Sequence, residues 1–193
     1  MRTILLPIAL ALAPWFYFIL KRFLTTLGDG GESDECSNDE LSRKRLAPPQ
    51  RAAAIQKMKL AATLQFTVFG VPSVYYGDEA GLEGYHDPFC RMPYPWGRED
   101  TDLLAHYRAL GALRRRSQAL KDGDFRFTYC KNRAFAYERV SADNTLLVIA
   151  NVGAEFSFPL SGEWKNALSG DPVTLTDGTL TIPPVCALVL EKC

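Results

Sequence analysis

The spacing of hydrophobic residues changes near residue 120, from helical spacing before it to alternation after it. An alanine-rich stretch after Pro48-Pro49 predicts a helix over residues 51–66, because proline is tolerated in a first helical turn and alanine favours helix. A second helix, beginning at Asp100 or Thr101, is predicted from apolar residues three or four positions apart. These residues are Leu103, Tyr107, Leu110 and Leu113.

A run of β-branched and aromatic residues, Val71–Tyr76, lies between the two predicted helices and is bounded by Gly70 and Gly77. Such a run is typical of a buried strand that ends in a polar loop. That loop extends to about Glu99, and the earlier residues 28–49 are polar enough to predict another exposed loop. The predicted order is therefore helix, strand, loop and helix.

After residue 120, aromatic residues alternate with polar ones in several short segments. Thr145–Ala150 and Val185–Leu190 have the composition of buried strands, and Asp177-Gly178 predicts the turn of a hairpin over Thr174–Ile182. Short strands at close spacing, with turn residues between them, are typical of an all-β sandwich or barrel. The C-terminal part is therefore predicted to be a small antiparallel β domain.

The predicted organisation has three parts: residues 1–20, a helix–strand–helix region over residues 21–119, and the antiparallel β domain over residues 120–193. The first part is an apolar run, Ile4–Leu20, that follows Arg2. Three interpretations fit it: an export signal, a buried or membrane-associated segment, or a reading frame that does not belong with the rest. The pattern does not choose among them.

Composition narrows the classes of partner. There are 22 basic and 22 acidic side chains, so we expect no long-range attraction to nucleic acid. The five cysteines form no CxxC pair, and the two histidines are too few for a histidine-built metal centre. We expect no metal, no cofactor and a cytoplasmic protein with reduced thiols, with export or membrane association as the alternative if the apolar N-terminus is genuine.

Two acidic residues, Asp78 and Glu79, follow the predicted strand after Gly77. In an α/β barrel the working residues lie on loops at the C-terminal ends of strands. Glycoside hydrolysis needs two carboxyl groups that face each other roughly 5–10 Å apart, whereas neighbouring residues at a strand end point to opposite faces. We therefore expect one of the two carboxylates to hold the loop by hydrogen bonds, and we do not expect the two to form an acid–nucleophile pair.

A carboxylate and a guanidinium, Asp87 and Arg91, lie four residues apart in the loop. On an ordered loop they can hydrogen-bond sugar hydroxyls, since arginine has a planar fork of donors, or they can form a salt bridge that only shapes the loop. Nearby, Tyr85, Tyr94 and Trp96 can stack on a sugar ring or pin the proline-rich loop. Both interpretations stay open from the residues alone.

The segments Gly70–Glu79 and Asp87–Arg91 resemble the last barrel strand and the following loop of the α-amylase superfamily of glycoside hydrolases. The closest type is the neopullulanase, cyclomaltodextrinase and maltogenic amylase group, and the resemblance runs from about Arg22 to the C-terminus. It implies an α/β plus all-β fold: the C-terminal portion of a (β/α)8 barrel, with its last strand and flanking helices, followed by an antiparallel β-sandwich domain.

The resemblance also implies a substrate. In that group the Asp and Arg of the second motif bind the non-reducing side of an α-glucan, and here they are Asp87 and Arg91. Tyr76 and Glu79, at the end of the predicted strand, complete the expected substrate-binding set. The family hydrolyses α-1,4 and α-1,6 glucosidic bonds in maltodextrins, cyclodextrins or pullulan. The resemblance is also compatible with a homo-oligomer in full-length relatives.

No residue of this chain matches the family's catalytic Asp, Glu and Asp. The last of these normally lies in an Asn/Ser-His-Asp motif before a segment like Arg22–Thr25, where this chain has Trp15–Lys21. We therefore expect a truncated hydrolase, inactive alone, with weak or no binding of α-glucan oligosaccharides. The alternatives are a non-catalytic carbohydrate-binding protein and a membrane-associated interaction protein, so whether the chain is an enzyme stays open.

Overall fold

The computed structural model describes residues 23–29, 36–85 and 88–193, and the apolar run Ile4–Leu20 with its three interpretations lies outside them. The described residues form two compact units. The first combines the residues up to Ile55 with Val74–Asp100, and the second combines Gln56–Ser73 with Thr101–Cys193.

Helices precede strands in the described chain. The helices are α1 Phe23–Asp29, α2 Asn38–Arg43, α3 Pro48–Thr67, α4 Thr101–Arg116 and α5 Gln118–Asp122. The strands are β1 Asp124–Lys131, β2 Ala134–Val140, β3 Thr145–Asn151, β4 Phe156–Pro159, β5 Trp164–Asn166, β6 Thr179–Ile182 and β7 Cys186–Lys192. Both predicted helices are confirmed, and the apolar residues that predicted α4 are all buried.

The second unit contains an antiparallel β sandwich, as predicted. Five strands form one sheet in the order β1-β2-β3-β7-β5, and β4 pairs with β6 in a second sheet. The hydrophobic core between them takes residues from both sheets: Ala136, Leu147, Ile149 and Leu190 from the first, Phe158 and Ile182 from the second. Side chains alternate between the two faces of a strand, so this core uses one face of the larger sheet.

Helices cover the opposite face of the larger sheet. Leu146 and Val148 of β3 point to that side, between the residues that enter the sandwich core, and they pack with Leu113 of α4 and Leu120 of α5. Strand β3 is therefore buried on both faces. This burial explains why its sequence is a continuous apolar run instead of an alternating one.

The C-terminal hairpin is confirmed at its turn but not along both arms. Asp177 and Gly178 have φ of 49° and 71°, and Thr176 and Thr179 exchange backbone hydrogen bonds of 2.9 Å. Strand β6 follows this turn and pairs with β4, while the residues before the turn form no strand. Strand β5 was not predicted.

Two local predictions are wrong. Residues 71–76 form no strand, and the side chain of Val71 is 92% exposed. A strand needs a hydrogen-bonded neighbour, and within the described residues every strand lies from Asp124 onward and none pairs with this segment. The predicted loop 28–49 contains α2, because Ser37 and Glu40 form a reciprocal capping box that starts a helix.

A polar cluster in the second unit holds α4 to the larger sheet. Glu191 of β7 is 8% exposed and accepts two hydrogen bonds from Arg116, at 3.2 and 3.0 Å. Asn144 donates to the same carboxylate at 3.3 Å, and Lys165 lies 3.4 Å from it. These partners compensate the burial of the charge.

The remaining features concern membranes and thiols. Within the described part of the chain, no helix has the length and apolar character that a membrane crossing requires. All five cysteines lie in that part, and none forms a disulfide.

Candidate functional site

The segment that ends at Tyr76 runs into a tight turn in the first unit. The amides of Ala80 and Leu82 both donate to the carbonyl of Gly77, at 3.1 and 2.9 Å. Gly77 has φ of +89°, and a Cβ at this position would lie 2.7 Å from a methyl carbon of Leu82. Only glycine satisfies both constraints, so Gly77 determines where the turn places the acidic residues that follow it, Asp78 and Glu79.

The first acidic residues of the turn, Asp78 and Glu79, differ in their surroundings. Glu79 accepts a hydrogen bond of 3.0 Å from the amide of Gly77, which closes the turn on itself. Burial, with a smaller effect of the neighbouring Glu79 charge, raises the pKa of Asp78 to about 7. A carboxyl with this pKa can serve as a general acid, but Glu79 is held within the turn and does not face it across a cleft. These contacts agree with a structural role.

A charged cluster that was not predicted from the sequence anchors the turn to α3. Glu83 forms an ion pair of 2.6 Å with Arg51 and accepts a hydrogen bond of 3.1 Å from the amide of Leu46. Arg51 also donates to the carbonyl of Gly81 at 3.2 and 3.1 Å, and it lies 3.6 Å from Asp100. These contacts join residues 30 or more positions apart, so sequence spacing gives no signal for them.

Tyr76 connects the turn to the proline-rich loop that follows it. Its hydroxyl donates to the carbonyl of Met92 at 3.1 Å, and its ring lies 4.9 Å from that of Tyr75. The Tyr76 side chain is nevertheless 44% exposed. Part of Tyr76 is therefore accessible to a ligand while its hydroxyl is fixed.

Arg91 ends a 3-10 turn, Phe89–Arg91, and is exposed. The Arg91 guanidinium also acts on the neighbouring Tyr75. Burial and the adjacent Tyr76 raise the pKa of Tyr75, and the positive charge of Arg91 opposes that rise. The structure thus brings Arg91 and the tyrosine pair into one neighbourhood. Asp87, the other predicted member, lies outside the described residues, and the choice between a salt bridge and sugar binding stays a prediction.

The three aromatic residues considered for sugar stacking, Tyr85, Tyr94 and Trp96, have different environments. Tyr85 is 2% exposed, and the Lys44 ammonium lies 5.8 Å from its ring centroid, so this tyrosine pins the loop. Trp96 is 80% exposed, and its ring centroid is 4.5 Å from that of Tyr94. Their surroundings therefore suit different roles. Tyr85 is placed to anchor the loop, and Trp96 is accessible for contact with a ligand.

The arrangement offers a partly exposed tyrosine pair near a guanidinium, with an exposed tryptophan in the same loop, which suits a neutral ligand rich in hydroxyl groups. Among its described residues, Asp78 and Glu79 are neighbours in one turn and do not form a facing pair of carboxylates. Across residues 23–29, 36–85 and 88–193, no three His, Cys, Asp or Glu side chains are grouped as a metal site would require. Binding through hydrogen bonds and ring contacts is the chemistry that these residues supply.

Comparisons with known proteins give a consistent set of relatives, although no protein-family model matches the chain. The amylopullulanase of Thermoanaerobacter thermohydrosulfuricus is 32% identical over 180 residues, which are 83% of this chain and 12% of that protein. A cyclomaltodextrinase of a Bacillus species is 48% identical over 100 residues, 50% of this chain and 18% of that protein. The chain therefore spans less than a fifth of either relative.

Solved structures show the same similarity. An α-amylase from Geobacillus thermoleovorans, crystallised with acarbose, superposes with a TM-score of 0.60 at 27% sequence identity. The match covers 74% of this chain and 35% of that one. Similarity thus extends through most of this chain but through about a third of the solved protein.

Proposed function

We infer that the role of this chain is to recognise α-glucans. The basis is its relation to the C-terminal region of α-amylase-family glycoside hydrolases. The relatives are named for pullulan and cyclomaltodextrin, and the α-amylase was solved with acarbose. In this proposal the complete enzymes hydrolyse α-1,4 or α-1,6 glucosidic bonds, and this region contributes part of the binding surface.

We propose further that the chain alone binds glucan weakly and does not hydrolyse it. Hydrolysis with retention requires two carboxyl groups about 5 Å apart on either side of the bond. Among the described residues the turn after Tyr76 bears the neighbouring carboxylates Asp78 and Glu79, and Glu79 accepts a hydrogen bond from the amide of Gly77 within that turn. The sequence also lacks an Asn-His-Asp or Ser-His-Asp tripeptide.

The observation that carries the proposal is the hydrogen bond of 3.1 Å from Tyr76 to the carbonyl of Met92. It fixes the loop that bears Arg91 beside the turn that bears Glu79. Arg91 then presents its planar donors at the surface, next to a half-exposed tyrosine ring. Asp87 is proposed as the second hydrogen-bonding partner of the sugar.

The test is a calorimetric titration of the full chain with maltotriose and β-cyclodextrin. We expect a Kd in the millimolar range, which corresponds to about −4 kcal/mol. Arg91→Ala should weaken binding about tenfold, whereas Arg108→Ala, an exposed arginine on α4, should leave it unchanged. Absence of binding at millimolar concentrations would contradict glucan recognition, and release of reducing ends from pullulan or maltodextrin would contradict the proposed inactivity.

A further inference from the structure

Trp96 is an exposed tryptophan at the corner of a rigid turn. Its side chain is 80% exposed, although large apolar side chains are usually covered. The amide of Arg98 donates to the carbonyl of Pro95 at 2.8 Å, and Gly97 has φ of +71°. These features define a β-turn with positive φ at its third position, which places Trp96 at the second position, at the tip.

The turn holds the tryptophan in place before any ligand arrives. The amide of Trp96 donates to the carbonyl of Tyr94 at 2.9 Å. The Tyr94 ring lies against the indole at 4.5 Å, with 48° between the ring planes. Pro95 restricts the backbone immediately before Trp96. A side chain ordered in this way loses little conformational entropy on binding.

The described chain contains one other tryptophan, and it has the opposite environment. Trp164 is 8% exposed, packs in the sandwich core, and donates its indole N–H to the carbonyl of Ser161 at 2.9 Å. Trp164 is therefore explained by packing. Packing within the first unit does not explain Trp96, since four-fifths of its side chain faces outward.

We propose that Trp96, supported by Tyr94, is a stacking platform for one glucose ring of a bound α-glucan. This inference rests on the proposed function and assigns it a specific contact. A pyranose ring has an apolar face of C–H groups, which matches an aromatic face, and a rim of hydroxyls, which needs donors and acceptors. Arg91 and Arg98, both exposed in the same loop, supply donors at that rim.

The experiment compares maltotriose binding by the wild-type full chain with binding by Trp96→Ala and Trp96→Phe. We expect Trp96→Ala to weaken binding about tenfold and Trp96→Phe, which keeps an aromatic face, to lose less than half of that effect on a logarithmic scale. Phe127→Ala is the matched control, because Phe127 is an aromatic residue of the β domain with 51% exposure. It should bind as the wild type does.

A second readout does not depend on the alanine variant folding. Maltotriose should change the tryptophan fluorescence of the wild type, and this change should disappear in Trp96→Phe. Wild-type affinity in Trp96→Ala, or the same fluorescence change in Trp96→Phe, would overturn the platform while leaving glucan recognition intact. A wild-type chain that binds no glucan would overturn both proposals.

Discussion

The turn after Tyr76 should lose stability as the pH rises through the acidic range, because of Asp78. Burial and the nearby Glu79 raise the pKa of Asp78 from 3.8 to about 7. Below pH 3.8 this carboxyl is protonated in both the folded and the unfolded chain. Between that value and about pH 7 only the unfolded chain releases the proton, so rising pH favours unfolding of the turn.

The size of the effect follows from the difference between the two pKa values. One pKa unit corresponds to about 1.4 kcal/mol, so a rise of about three units amounts to at most about 4 kcal/mol between pH 4 and pH 8. Asp78→Asn keeps the shape of the side chain and removes the charge. We expect this variant to abolish the pH dependence and to exceed the wild type in stability at pH 8.

Hydrogen exchange measures this locally. The amides of Ala80 and Leu82 donate to the carbonyl of Gly77 and report opening of the turn. Their opening free energy should fall from pH 4 to pH 7 in the wild type and stay constant in Asp78→Asn. Asp143→Asn, at an exposed site in the β domain, is the control. A carboxyl carbon resonance of Asp78 that titrates near pH 4 would refute the reasoning.

Two further predictions concern the second unit. Burial would raise the pKa of Glu191, but the hydrogen bonds from Arg116 and then Asn144 hold that pKa below its usual value of 4.5. The ionised Glu191 therefore stabilises the folded chain above pH 4.5, and this contribution declines as the pH falls. Glu191→Gln should therefore lower the free energy of unfolding by about 1–3 kcal/mol at pH 7 and make urea unfolding less sensitive to acid. An unchanged midpoint of acid unfolding would contradict this. Leu110 is fully buried, so Leu110→Ala should cost about 2–5 kcal/mol in thermal unfolding, whereas Leu110→Met should cost less than about 1.5 kcal/mol; equal losses in the two variants would contradict tight packing around α4.

Elements whose burial leaves a regular pattern of apolar residues could be predicted from the sequence. Helix α4 is one case, because its four apolar residues share one face and all become buried. Strand β3 is another, because its apolar run is buried on both faces of the sheet. The fold class, a C-terminal part of an α-amylase-type enzyme with a β sandwich, is likewise confirmed. The boundaries predicted at residues 20 and 119 stay predictions.

Elements that depend on distant partners could not be predicted. Val71–Tyr76 has the composition of a strand, but strand formation needs a neighbour that this segment lacks among the described residues. The ion pair between Arg51 and Glu83 also depends on tertiary folding. Helix α2, in contrast, had a readable signal, the Ser37–Glu40 capping box.

The candidate site could likewise be predicted from the sequence only in part. The sequence identified Tyr76, Glu79, Asp87 and Arg91 as candidates, and the structure adds the bond that fixes Tyr76 to the loop. It also separates the aromatic residues: Tyr85 is buried, Tyr94 is half-buried and Trp96 is exposed. Exposure of an aromatic side chain depends on the packing of the whole unit, so residue type alone does not reveal it.

The most direct test of the central claim is a map of amide NMR shifts in the full chain during titration with maltotriose. The account predicts concentration-dependent shifts that cluster at residues 75–79 and 88–98, with little change over the β domain from Asp124 onward. Shifts confined to the β domain would contradict the assigned site. Absence of any shift at millimolar maltotriose would contradict glucan recognition by this chain.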